Sequence, residues 1–193
     1  MLKAHNVLIS LLCLGALAAC TPAEEPTATD TPAAEDTTVV ASETAIVLPD
    51  GTACLNAGQG ATLAFEGKRL NYTCGDTQGL IGDIDIIDGT EITLELATLD
   101  GTTITASEAL TLTVNAVELA DGTTCLNAGE GATLAFDGQR LNFTCPDAAS
   151  EAGLLGDITA EEGIFTVAVA TLEGTDLVST ETQAIAALET ATP

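Results

Sequence analysis

The sequence predicts an all-β protein built as two tandem small antiparallel β-sandwich or barrel modules, each with one intramodule disulfide. Three observations lead there. Apolar residues alternate with polar ones at a period of two in short runs, as a strand with one buried face requires. Acidic-Gly dipeptides of the hairpin type, such as Asp50-Gly51, Glu66-Gly67, Asp88-Gly89 and Asp137-Gly138, punctuate those runs. Finally, one cysteine-bearing stretch is used twice. DGTACLNAGQGATLAFEGKRLNYTC, Asp50 to Cys74, and DGTTCLNAGEGATLAFDGQRLNFTC, Asp121 to Cys145, share 20 of 25 residues at a fixed offset of 71. The similarity continues in GLIGDI (79–84) against GLLGDI (153–158), and in LELATLDGT (94–102) against VAVATLEGT (167–175).

Taken from its start, the chain opens with a targeting segment. Lys3 lies in a short polar start, and the apolar run Val7 to Ala19 is too short to span a bilayer. The run ends in Leu17-Ala18-Ala19-Cys20, which resembles the lipobox of bacterial lipoprotein signal peptides at all four positions. That resemblance implies removal of residues 1–19 and lipidation of Cys20, giving an extracytoplasmic protein, lipid-anchored to a bacterial membrane on its periplasmic face or at the cell surface. Several acyl chains on one residue give stable anchoring, since each buried methylene adds about 0.8 kcal/mol. Thr21 follows, so the aspartate that retains many such lipoproteins at the inner membrane is missing.

Residues 20–45 shift to Thr, Ala, Pro, Glu and Asp, a composition with too little apolar surface to offset the entropy of ordering. This stretch reads as an acidic tether. Six carboxylates and no basic residue favour extension, and the reach is about 25 to 30 Å as a coil.

The first module is read as 46–115 and the second as 116–190. Each opens on a short apolar strand, Ala45 to Leu48 or Val117 to Leu119, followed by an Asp-Gly turn and the first cysteine. The Asn-Ala-Gly-x-Gly that follows reads as a loop, because Leu63 stands where a dinucleotide-binding motif needs its third glycine and no Walker lysine follows. ATLAF-EG-KRLNYTC is a hairpin with Glu66-Gly67 as a two-residue turn, which sets Phe65 against Lys68, Leu63 against Leu70 and Ala61 against Tyr72. On that register Leu63, Phe65, Leu70, Tyr72 and Cys74 share the inward face, and Arg69 and Asn71 lie outside.

A second hairpin spans Asp83 to about Leu96. A three-residue loop of Ile87, Asp88 and Gly89 sets Ile84 against Ile92 and keeps the apolar face together. Its counterpart is one residue shorter, with Ile158 facing Phe165. From Leu110, Leu112 and Val114 the alternation slips phase to Val117 and Leu119, which requires a bulge near Asn115-Ala116. The C-terminal TETQAIAALETATP has lost the alternation and reads either as a final strand or as a short helix.

Modules of about 70 residues have marginal cores and need staples. Cys13 leaves with the signal and Cys20 is the lipidation residue, so four cysteines remain, with three pairings open to them. A duplicated unit that carries its own staple selects Cys54 with Cys74 and Cys125 with Cys145.

Several chemistries are excluded. Residues 20–193 hold 3 basic and 29 acidic side chains, a formal charge of 3 − 29 = −26, which excludes nucleic acid as a partner and attracts a basic envelope or extracellular protein. The single histidine, His5, lies in the signal segment, so no histidine triad or imidazole metal ligand exists in the mature chain. The chain reads as a non-enzyme without cofactor or metal, serving as a binding or structural element whose partner at the membrane is its own lipid anchor.

Two constellations stand out as candidates. Arg69 and Asn71, repeated as Arg140 and Asn142, offer guanidinium and amide donors to an anionic group, or alternatively pair with carboxylates of their own module. Asp83, Asp85 and Asp88 before Gly89 are weak calcium candidates, one residue out of step with an EF-hand loop, and point to calcium-dependent adhesion or assembly as one alternative function. The other alternative is a lysozyme-type hydrolase inhibitor of the envelope: Tyr72-Thr73-Cys74 is similar to the Y-x-C opening of membrane-bound inhibitors of c-type lysozyme, although the Ser-Gly-x-x-Tyr ending of that family is missing.

Overall fold

Period-two alternation, Thr, Val and Ile enrichment and closely spaced turn residues leave the chain little choice but strand, and thirteen strands form. The structure is a computed structural model that describes residues 43–193 apart from positions 131, 149 and 162. The signal segment, Cys20 and the tether lie outside the described residues. All described secondary structure is β.

The first repeat supplies β1 (Ala45–Val47), β2 (Ala53–Asn56), β3 (Ala64–Phe65), β4 (Lys68–Cys74), β5 (Gln78–Ile87) and β6 (Glu91–Asp100). A long strand, β7 (Thr103–Leu119), ends this repeat and begins the next. The second repeat continues with β8 (Thr124–Asn127), β9 (Ala135–Phe136), β10 (Gln139–Thr144), β11 (Ala152–Glu161), β12 (Ile164–Glu173) and β13 (Asp176–Ala191). The C-terminal stretch is therefore a strand.

Hydrogen bonding closes two circuits. One runs β1-β2-β4-β5-β6-β7-β13 and returns to β1; the other runs β7-β8-β10-β11-β12-β13 and returns to β7. They share the antiparallel β7–β13 ladder, from Ile185 opposite Leu119 to Ala191 opposite Thr113. The end of β13 also pairs in parallel with β1, Ala187 to Glu189 against Ala45 to Val47. Closure of this kind removes free strand edges along the shared ladder. The two modules are thus fused: the described residues, 43–193, fall within one compact unit. A single core cluster draws Ile46, Tyr72, Leu80 and Ile92 from the first module and Val117, Phe143, Leu154 and Phe165 from the second.

Bulges decide which face each residue takes. The phase slip at the end of β7 is a bulge at Asn115, where Val114 pairs with Thr190 and Ala116 with Glu189, so Val114, Ala116 and Val117 are all buried. Glu66-Gly67 is a two-residue turn with both φ angles positive (49° and 83°), and Phe65 pairs with Lys68 as expected. The β3–β4 ladder is short, however. Tyr72 lies opposite Asn56 of β2, not Ala61.

A bulge at Asn71, between the pairs Leu70–Ile81 and Tyr72–Leu80, splits the inward face of β4. Tyr72 and Cys74 enter the central core, whereas Leu70 joins Ile81, Ala97, Leu99 and Ile104 in a satellite cluster covered by Leu63 and Phe65. Leu141, Leu155, Ala170 and Leu172 form the same satellite in the second module. Each first hairpin therefore folds over the outer side of its own sheet instead of presenting a single face to one core.

The second hairpin departs from the expected register. Ile86, not Ile84, faces Ile92, and Asp88 and Gly89 both take positive φ. The difference arises at 82–84, where the pairing shifts by two residues between Ile81–Glu95 and Asp85–Thr93. The second module has the same shift, so Phe165 faces Ala160 and not Ile158.

The disulfides are Cys54–Cys74 and Cys125–Cys145, each closing a sequence separation of 20 residues with Cα atoms about 4 Å apart. Cys54 and Cys74 are direct partners across β2 and β4. Both bridges are compatible with an extracytoplasmic setting.

Candidate functional site

The bulges at Asn71 and Asn142 also build a region where the repeats diverge in their surroundings. Each bulge exposes a backbone carbonyl that accepts the N–H of the Asn-Ala-Gly loop, Ala57 to Asn71 and Ala128 to Asn142, both at 2.8 Å. The loops are further fixed by their own asparagines, Gly58 N donating to Asn56 Oδ1 and Gly129 N to Asn127 Oδ1. The arginines finish the arrangement. Arg69 Nη2 donates to Gly58 O at 2.8 Å and Arg140 Nη2 to Gly129 O at 2.7 Å.

The arginines are thus tied to loop carbonyls, not to the carboxylates expected of surface pairs. Among the described residues the ion pair is Lys68 with Glu95, whose carboxylate also accepts from Ser107. Lys68 donates to Glu95, which holds that carboxyl below its ordinary range and raises the lysine.

Asn71 and Asn142 do not share a fate. Asn142 does not project outward: it is buried, and its Nδ2 donates to Gly156 O at 2.9 Å and to Asp88 O of the first module's hairpin at 3.4 Å. Gly89 of that hairpin lies so close that a Cβ there would sit 2.7 Å from Gly156 O and 2.5 Å from Asn142 Nδ2. The second module's site is filled by the first module's turn.

Asn71 donates to Gly82 O at 2.7 Å but remains half-exposed, beside a pocket of about 400 Å³. The pocket is walled by Arg69, Asn71, Tyr72, Glu43 and Asp83, with Ile84 and Phe165 as apolar surface and Ala160 and Gly163 of the β11–β12 hairpin at its rim. Three sequence differences between the repeats account for it. The covering hairpin is one residue shorter, Glu43 stands 71 residues before the buried Val114, and Tyr72 stands where the second copy has Phe143.

Tyr72 is 3% exposed, and its hydroxyl is buried without a hydrogen-bond partner among the described residues. Burial, with a further contribution from the charge of Glu43, pushes its pKa up to about 12. The hydroxyl therefore stays protonated at neutral pH and is able to donate or accept. A buried, unpaired hydroxyl costs about 1 to 3 kcal/mol, a cost the other copy avoids by placing the buried Phe143 at the same position.

The aspartates weighed as a calcium site are not gathered. Asp83, Asp85 and Asp88 are all exposed, and among the described residues no group of three Cys, His, Asp or Glu side chains is placed to hold a metal ion. Asp83 instead walls the pocket, and Asp88 occupies the positive-φ turn over Asn142. A second depression, about 480 Å³, lies against the satellite cluster of the second module beside Leu134, Leu141 and Leu172.

No protein-family model matches the chain, and neither a curated protein nor a solved structure matches it.

Proposed function

We propose that this chain is a non-enzymatic cell-envelope lipoprotein that displays its fused double module as a ligand-binding element, with the Arg69–Asn71–Tyr72 pocket as the binding site. The observation that carries this reading is the asymmetry of the repeats. Sequences 20 of 25 residues identical place the same loop, arginine and bulge in both modules, yet Asn142 is buried beneath its neighbour's turn at Asp88, whereas Asn71 stays half-exposed beside a pocket. Lipidation at Cys20 and an acidic tether hold the module off the membrane, and the disulfides suit that setting.

The pocket combines apolar surface with a few fixed polar groups, the usual composition of a small-ligand site. Native mass spectrometry of the full mature protein purified from its envelope tests the reading. A small adduct retained by the wild type and lost on Ala160→Phe, which fills the rim, is the expected result. Adduct-free spectra for both, with the protein still anchored through Cys20, would leave a structural element and no binding function.

A further inference from the structure

We propose that the first-module pocket takes a small zwitterion of about dipeptide size, its carboxylate toward Arg69 and its ammonium toward Glu43 and Asp83. This rests on the binding-element reading above and assigns a ligand class to the same site. The argument is one of charge complementarity within a confined volume. Arg69 spends one Nη2 donor on Gly58 O, and its guanidinium is otherwise exposed at the pocket wall. Being a planar fork of five donors, it retains the geometry for a carboxylate.

A simple anion is disfavoured, because Glu43 and Asp83 share the pocket and the mature chain carries a formal charge of −26. A simple cation would satisfy the carboxylates and leave Arg69 facing a like charge. One molecule with both groups satisfies all three residues, and Tyr72 forms part of the wall against which it would pack. The size follows from the volume. About 400 Å³ lies within the range of small-molecule pockets and exceeds what a single water-bridged ion needs. Glu43 replaces the apolar Val114 of the filled copy, so the acidic end of the pocket is peculiar to the open one.

The test uses the full mature chain and three probes: alanyl-alanine, its C-terminal amide and its N-acetyl derivative. Binding is read by isothermal titration and by the fluorescence of Tyr72, the single tyrosine of the chain. The zwitterionic dipeptide should bind, with each blocked form at least tenfold weaker. Arg69→Ala should lose the discrimination against the amide, and Arg140→Ala should change nothing.

Equal binding of the amide would replace the proposal with a cation site, and equal binding of the acetylated form with an anion site. Failure of all three probes, or equal sensitivity to Arg140→Ala, would overturn it. An adduct lost on Ala160→Phe despite that failure would leave the broader binding reading standing with a different ligand class.

Discussion

Removing one disulfide distinguishes a fused body from two beads on a string. Cys125 and Cys145 close a separation of 20 residues, for which chain entropy gives about 3 kcal/mol of stabilisation at 25 °C. For a body of this size, each kcal/mol moves the melting temperature by about 2 to 4 °C, so the Cys125→Ala/Cys145→Ala variant should melt about 6 to 12 °C lower. The decisive quantity is the number of transitions. Because β13 belongs to both hydrogen-bonded circuits and the main core draws on both repeats, the whole endotherm should move as one. The equivalent Cys54→Ala/Cys74→Ala variant opens a loop of the same length and should give a shift of the same size. Differential scanning calorimetry of the purified chain provides the measurement. A second endotherm remaining at the wild-type temperature would refute the fusion, and an unchanged single endotherm would refute the stabilising role of the bridge.

Three further outcomes are expected. Thr44 is fully buried, with its hydroxyl donating to Ile185 O at 2.7 Å and accepting from Phe165 N at 3.0 Å, so Thr44→Val should cost about 2 to 4 kcal/mol in urea unfolding, whereas Thr44→Ser should retain most of the stability. Gly67 and Gly89 both have positive φ, but a Cβ at Gly67 meets nothing within 4 Å while one at Gly89 strikes Asn142 and Gly156; Gly67→Ala should cost about 1 kcal/mol and Gly89→Ala about 3, and equal costs would disprove the plug. Tyr72 ionises in the unfolded chain near 10 and in the folded protein only at about 12, so the native state holds its proton longer; stability is intact below pH 10 and falls between 10 and 12. A near-ultraviolet titration of the single tyrosine checks this, and phenolate appearing near pH 10 without unfolding would contradict the burial.

What the sequence disclosed depended on how local the cause was. Glu66-Gly67 encodes its own turn, and the slip from Val114 to Val117 can be met only by a bulge, so both were legible. The cysteine pairing followed from repetition alone. By contrast, Leu70, Tyr72 and Cys74 alternate without interruption, and nothing in that pattern signals that Asn71 is an extra residue sending Leu70 and Tyr72 to different clusters.

The register of the hairpin at Asp88-Gly89 escapes a local reading for the same reason. Its shift originates at 82–84, upstream of the turn. The pairing of β13 with β1 and β7 joins residues about 140 and 70 positions apart, beyond any local pattern. The pocket left a trace, since Tyr72 against Phe143 and the shorter second hairpin are visible differences between the repeats. Their shared consequence emerges only when each hairpin is seen lying over the opposite module.

Residues Ile185 to Ala191 of β13 are the ones that complete both circuits. Neither ring can shut until this one segment has docked beside both β1 and β7, so a change that loosens it opens both rings at once.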